Sequence, residues 1–279
     1  MNAVLSWAAP RRHLFVFGHM RSYSSLLCHI LGSHPDIDGY CETHIKYRWY
    51  FDLVRLRRRV VKLTGEPLRG RYVLDKVLHD YPLAGSILRS PAARAIVLLR
   101  RPKATVRSIM NMGLRYSDIA WYRDVDAVAR YYETRLSSLV RFADQMGGRA
   151  ILLEAEELLS DTPSVLARLA GFLELGEPLK STYRRFAHTG KAGYGDPSEN
   201  IARGERLLRE AQPGGGEGLV REAQRGGGEG LVREAHQVEA TSRGPEIIVP
   251  EPIVARLDQI YRARTAALRD RLQPRSRSA

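Results

Sequence analysis

Cysteine is scarce in this chain: Cys28 and Cys41 are the only two in 279 residues, and they form neither a C-x-x-C pair nor a framework of bridges. A disulfide scaffold is thereby excluded, nothing argues for an oxidising compartment, and a cytoplasmic location is expected. Long apolar runs are also missing. The longest, such as Leu14 to Phe17 and Ala95 to Leu99, are strand-sized and far short of the ~20 residues that span a bilayer. Met1 to Pro10 has no charged start before its short apolar stretch and no cleavage-site pattern, so no secretory leader is expected. The histidines show no H-x-x-x-H or Cys/His spacing, and no metal site is expected. Lysine is rare: six of the 44 basic residues are Lys, a bias that codon usage alone can produce.

The composition that remains is globular, with 44% hydrophobic residues and a length that buries roughly three-quarters of the unfolded surface. The net charge of +13 favours anionic partners, whether nucleic acid, phosphate-bearing cofactors or acidic membranes, and does not choose among them.

Short apolar runs at His13 to Phe17, Arg71 to Leu74, Arg94 to Leu99 and Arg149 to Leu153 alternate with helix-like segments. Continuous apolar strands separated by helices predict an α/β fold with a parallel sheet covered on both faces, whose ligands bind outside the carboxyl ends of the strands. The expected organisation is an N-terminal tail over 1–12, a main domain over 13–202, a flexible insert over 203–245, a terminal helix over 246–272 that packs back on the domain, and a basic tail over 273–279. Arg209 to Val232 is a tandem glycine-rich repeat, too short and too poor in apolar residues for a solenoid unit.

Two segments have the makings of anion sites. In Phe15-Val-Phe-Gly-His-Met-Arg-Ser-Tyr-Ser-Ser-Leu26 a strand feeds a serine-rich loop into a helix start, where free backbone N–H groups, the hydroxyls of Ser22, Ser24 and Ser25, and Arg21 converge. It is not a Walker A loop, since G-x-x-x-x-G-K-[ST] is absent. Arg100, at the exit of the next strong strand, and Ser108, on the following helix, form a second candidate phosphate site. Read alone, the first segment also fits an Arg and an N-cap Ser starting a surface helix, and the second a solvated basic turn. The run Arg55-Leu-Arg-Arg-Arg-Val-Val-Lys62 reads as the solvated face of a helix whose apolar stripe is Leu53, Leu56, Val60 and Leu63.

Together these segments resemble the sulfotransferase family that uses 3′-phosphoadenosine 5′-phosphosulfate (PAPS), in its bacterial and tyrosylprotein-sulfotransferase-like branch. Met20 to Leu26 is similar to the family's 5′-phosphosulfate loop, and Arg100, Pro102, Lys103 and Ser108 are similar to its 3′-phosphate motif. His34-Pro-Asp-Ile-Asp-Gly-Tyr-Cys-Glu-Thr43 resembles the segment that carries the proposed base, which puts Glu42 in that role. Leu74-Asp-Lys-Val77 resembles the strand-end lysine segment, Leu153 to Leu158 with Gly171 to Leu175 a later family stretch, and Gly190 to Asp196 the loop that closes over the 3′-phosphate, with Lys191 in the basic position. Tyr23 stands where the family's loop has glycine, a replacement that strains the backbone if that site needs positive φ. Arg101 stands where Asn, Asp or Gly is usual.

The resemblance implies a P-loop-like sulfotransferase fold and an enzyme, a transferase, that moves the sulfuryl group of PAPS to an acceptor hydroxyl or amine. Glu42, Arg21 and Lys76 are the implied catalytic residues. Arg21, Ser22, Tyr23, Ser24, Ser25, Arg100, Ser108 and Lys191 are the implied cofactor-binding set, with no metal. His79 is a secondary candidate base, and Trp121, Tyr122, Tyr131 and Tyr132 lie where acceptor-binding or core residues fall. The expected acceptor is a small molecule, carbohydrate or lipid, with no nucleic acid and no membrane span. The competing readings are a P-loop nucleotide kinase and a basic nucleic-acid-binding protein; the first lacks Gly-Lys-[ST], the second a recognition helix or zinc ligands.

Overall fold

The structure is a computed structural model that describes residues 11–191, 193–196, 201, 229–230 and 247–272, the pair 229–230 by its backbone alone. Five strands, β1 (Arg12–Gly18), β2 (Ile37–Asp38), β3 (Tyr72–Val77), β4 (Ala93–Leu99) and β5 (Ala150–Glu154), form one sheet in the order β2-β3-β1-β4-β5, and every pairing is parallel. β1 sits centrally with both neighbours reached by crossovers. Its near-continuous apolar sequence follows from burial on both faces.

Side chains alternate across the sheet and so divide the core in two. Leu14, Val16, Leu74, Ile96 and Leu98 face α1 (Ser24–Gly32), while Phe15, Phe17, Val73, Val77 and Val97 face the opposite layer. That layer is built from α2 (Asp52–Thr64), the single-turn α3 (Gly85–Leu88), α4 (Pro102–Arg115), α5 (Val125–Met146) and, after α6 (Ala155–Ser160) and α7 (Thr162–Phe172) on the α1 side, the terminal α8 (Glu251–Leu272). The α/β class with a parallel sheet between helices is therefore the observed fold, completed by a C-terminal helix. Pro102 opens α4 at its first position, where a missing N–H costs nothing, and the Asp124 carboxylate accepts from two N–H groups at the start of α5.

β3 runs past the apolar stretch read from sequence to include Asp75 and Lys76, which are as buried as their neighbours. α8 buries Val254, Leu257, Tyr261, Thr265 and Leu268 against α5 and β5, and Arg256 pairs with Glu133 at 3.0 Å. The glycine-rich repeat lies outside the described residues except for Glu229–Gly230, which forms β7 and pairs antiparallel with β6 (Tyr183–Arg184). Among the described residues no helix is long and apolar enough to cross a membrane.

Candidate active site

The carboxyl ends of β1, β3 and β4 open onto the loop His19–Tyr23, which enters α1. Positive φ at Arg21 (+60°) and Tyr23 (+61°) bends this loop sharply. Tyr23 thus occupies the left-handed region that glycine adopts without cost, the strain its replacement of glycine implies. Its ring is covered by the Arg100 guanidinium, whose carbon lies 4.5 Å from the ring centroid. The Ser22 hydroxyl donates to His19 O at 2.7 Å and is fully buried, so it braces the loop rather than facing outward.

Arg21 reaches across the loop. Its Nε donates to Ser108 Oγ at 2.9 Å and its Nη1 to Asp196 Oδ1 at 2.7 Å, while Arg100 Nη1 donates back to Arg21 O at 3.1 Å. Segments that are remote in sequence, including the late loop 193–196, are thereby tied to one strand-to-helix turn. Asp196 N also donates to Ser25 Oγ at 3.0 Å.

Lys76 lies on the α1 face at the end of β3 and is 2% exposed. Its Nζ donates to Ser25 Oγ at 3.0 Å and stands 3.4 Å from Glu42 Oε1, so a single ammonium joins the serine loop to the carboxylate. Asp75, pointing to the opposite face, accepts from Thr43 N at 2.9 Å, Thr43 Oγ1 at 2.7 Å and Tyr47 OH at 2.5 Å. Burial raises the Asp75 carboxyl to about 6 against the pull of those donors. Adjacent residues of one strand thus anchor Thr43 and face Glu42, fixing the carboxylate from both sides.

The frame under the site is polar and paired. Arg135, fully buried, donates from Nε to Gly18 O at 2.7 Å and from Nη2 to Val77 O at 2.5 Å, bridging the ends of β1 and β3, and its Nη1 meets Asp80 Oδ1 at 2.9 Å. His19 Nδ1 donates to Met20 O at 2.9 Å and its Nε2 accepts from Arg100 N at 3.0 Å, an arrangement that requires the neutral ring. Burial pushes this imidazole down to about 4. Tyr131 OH accepts from Met20 N and donates to Leu78 O, both at 2.8 Å, and Tyr132 OH donates to Arg100 O at 2.7 Å. These two tyrosines therefore tie loops together.

Among the residues singled out from sequence, Arg21, Ser22, Tyr23, Ser24, Ser25, Glu42, Lys76, Arg100 and Ser108 gather around this turn. Lys191 does not join them through its side chain: it is exposed, with its backbone N–H donating to His188 O at 3.1 Å. The late loop reaches the site through Gly195 and Asp196 instead. Gly195 has a φ of +150°, which favours glycine, and a Cβ there would crowd Lys76 Nζ and Ser25 Oγ at 3.0 Å. His79 has its ring beside Tyr81 and Tyr131, and burial lowers its pKa. Asp196, Asp75, His19 and Arg135 were not singled out. Asp75 and Asp196 lie within the segments Leu74–Val77 and Gly190–Asp196 that carry the resemblance, without a role of their own in it; a polar residue just after an apolar run is the trace of His19, and nothing local marks Arg135.

No protein-family model matches this chain, and no curated protein matches it at a significant level. Among solved structures it is similar to the sulfotransferase domain from the curacin biosynthetic pathway, with 18% identity, a TM-score of 0.43, and coverage of 61% of this chain and 75% of that one. It is also similar to a sulfotransferase from Alicyclobacillus acidocaldarius, with 17% identity, a TM-score of 0.45, and coverage of 60% of this chain and 83% of that one.

Proposed function

We propose that this chain is a sulfotransferase that moves the sulfuryl group of PAPS to an acceptor hydroxyl or amine. The observation that carries the reading is Lys76 Nζ, held between Ser25 Oγ of the serine loop and the Glu42 carboxylate. An anion cradle, a cation and a base within one hydrogen-bonded unit are what in-line transfer of a charged group needs. The cradle fits an anion: the Asp196 carboxylate already lies there, paired with Arg21.

In this reading Arg21 and the start of α1 hold the 5′-phosphosulfate, and Arg100 with Ser108 holds the 3′-phosphate, which distinguishes the donor from ATP. Glu42 accepts the proton of the acceptor as its oxygen or nitrogen bonds to sulfur. The bond from sulfur to the bridging oxygen breaks on the far side, and Lys76 and Arg21 neutralise the charge left on the departing phosphate. Adenosine 3′,5′-bisphosphate is the other product.

Two measurements test this. Adenosine 3′,5′-bisphosphate should raise the melting temperature, and AMP much less, because the 3′-phosphate has its own partners; ATP with Mg²⁺ and duplex DNA in the same panel test the kinase and nucleic-acid readings. Equal shifts with AMP and the bisphosphate refute the 3′ site. Glu42→Gln should cut single-turnover sulfuryl transfer by about a hundredfold or more while leaving bisphosphate affinity intact. Turnover within a few-fold of wild type removes Glu42 from the role of base and passes the test to His79→Ala.

A further inference from the structure

The basic run on α2 does more than face solvent. Thr43, His44 and Ile45, which directly follow Glu42, form one wall of an open groove of about 410 Å³, and Arg55, Arg58, Arg59 and Lys62 form the other. His44 marks the junction with the candidate site: its Nδ1 is 3.9 Å from Glu42 Oε2 and its Nε2 is 2.7 Å from Gly193 O of the late loop. The groove therefore begins where an acceptor must present its nucleophile to Glu42.

Its chemistry is one-sided. Arg55 is paired with Asp52 at 2.8 Å, but among the described residues Arg58, Arg59 and Lys62 pair with no carboxylate. Three uncompensated cations along one concavity repel each other and draw in negative charge. Arg55 and Lys62 are seven residues apart on one helix, so the positive wall is about 10 Å long, enough for more than one anionic group. Ile45 is the single aliphatic side chain in the lining, which offers little to a sterol or an acyl chain. Outside the lining, four residues before Arg55 and so on the same helical stripe, Phe51 is 81% exposed, with exposed Trp49 and Tyr50 beside it in sequence, and flat aromatic faces of this kind stack on the C–H faces of sugar rings.

We infer that this groove is the acceptor site and that it takes an acidic saccharide, a sugar chain bearing carboxylate or sulfate groups. The inference rests on the sulfotransferase reading for the transfer step, but binding of the saccharide does not depend on it.

The test is fluorescence anisotropy with a fluorescein-labelled heparin hexasaccharide, neutral maltohexaose as competitor, and phosphatidylserine-containing vesicles as the alternative anionic surface. Wild type should bind the acidic hexasaccharide with an affinity that falls as salt rises, and maltohexaose should not displace it. Combining Arg58→Gln, Arg59→Gln and Lys62→Gln should weaken binding by about tenfold or more, the sum expected for three solvent-facing charges. Bisphosphate affinity and melting temperature should stay at wild-type values. The single Lys62→Gln should give a smaller loss in the same direction. Unchanged hexasaccharide binding in the triple variant, effective competition by maltohexaose, or charge-dependent binding to vesicles without binding to the hexasaccharide would each overturn the proposal. If the hexasaccharide binds through these cations while the bisphosphate binds nowhere, the cofactor reading fails and the groove assignment stands.

Discussion

Tyr23 holds two opposing terms at one residue. Its left-handed backbone costs about 1–2 kcal/mol for a residue with a Cβ, and its ring recovers about 0.5–1 kcal/mol under the Arg100 guanidinium. Tyr23→Gly removes both, and its melting temperature should stay close to wild type. Tyr23→Ala keeps the strain and loses the stacking, so it should unfold more easily than the glycine variant by about 1 kcal/mol in calorimetry. An alanine variant as stable as the glycine variant would show that the strain is absent. The strain itself was legible in sequence, because a tyrosine filled a position whose pattern asks for glycine. The return of the late loop was legible only through the resemblance of Gly190 to Asp196, and the pairing of Asp196 with Arg21 was not, because no local spacing encodes a meeting of residues that far apart in sequence. Arg135 was hidden in the same way: an arginine in an amphipathic helix reads as solvent-facing until the strand ends it serves are in view.

At the scale of elements, periodicity carried most of the fold. β1 and β4 were legible in periodicity because both of their faces are apolar, whereas the end of β3 was legible only through the resemblance of Leu74-Asp-Lys-Val77, since Asp75 and Lys76 break the apolar run just where the site begins. The two-residue β2 had too little pattern to find. In α8 the buried face of Val254, Leu257, Tyr261, Thr265 and Leu268 is flanked by partly buried Ile253 and Ile260. Packing, more than charge, holds this helix. Leu257→Ala, at a fully buried position, should cost about 2–5 kcal/mol in denaturant unfolding, whereas Arg269→Ala, exposed beside Glu154, should cost about 1 kcal/mol or less. Equal losses from the two substitutions would contradict this division.

Across the whole molecule, buried titratable groups set the response to acid. Burial pushes His13, His19 and His29 down to about 4 from an ordinary 6.5. As pH falls from about 6.5 to 4 the unfolded chain takes up these protons first, so stability declines across that window. Asp75 works in the other direction: its folded value of about 6 lies above the ordinary 3.8, and its contribution is present at low pH and lost as pH rises through about 6. Three histidines outweigh one carboxyl, and the melting temperature should fall steadily from pH 7 to pH 5 at constant ionic strength. A flat profile would mean that the histidines titrate normally in the fold, which their imidazole NMR shifts would show directly.

The salt bridge between Arg21 and Asp196 has its own thermodynamic consequence. Because the cradle's main guanidinium is already neutralised by a carboxylate from the same chain, any anion that enters does so by exchange: one negative group departs as another arrives, and the net charge of the turn changes less than the ligand's charge would suggest. The observed affinity is then the intrinsic one scaled by the fraction of molecules in which Asp196 has let go. Anions that are merely abundant meet an internal competitor held beside the guanidinium by the chain itself, whereas a ligand grasped at two points has a second set of contacts with which to displace it.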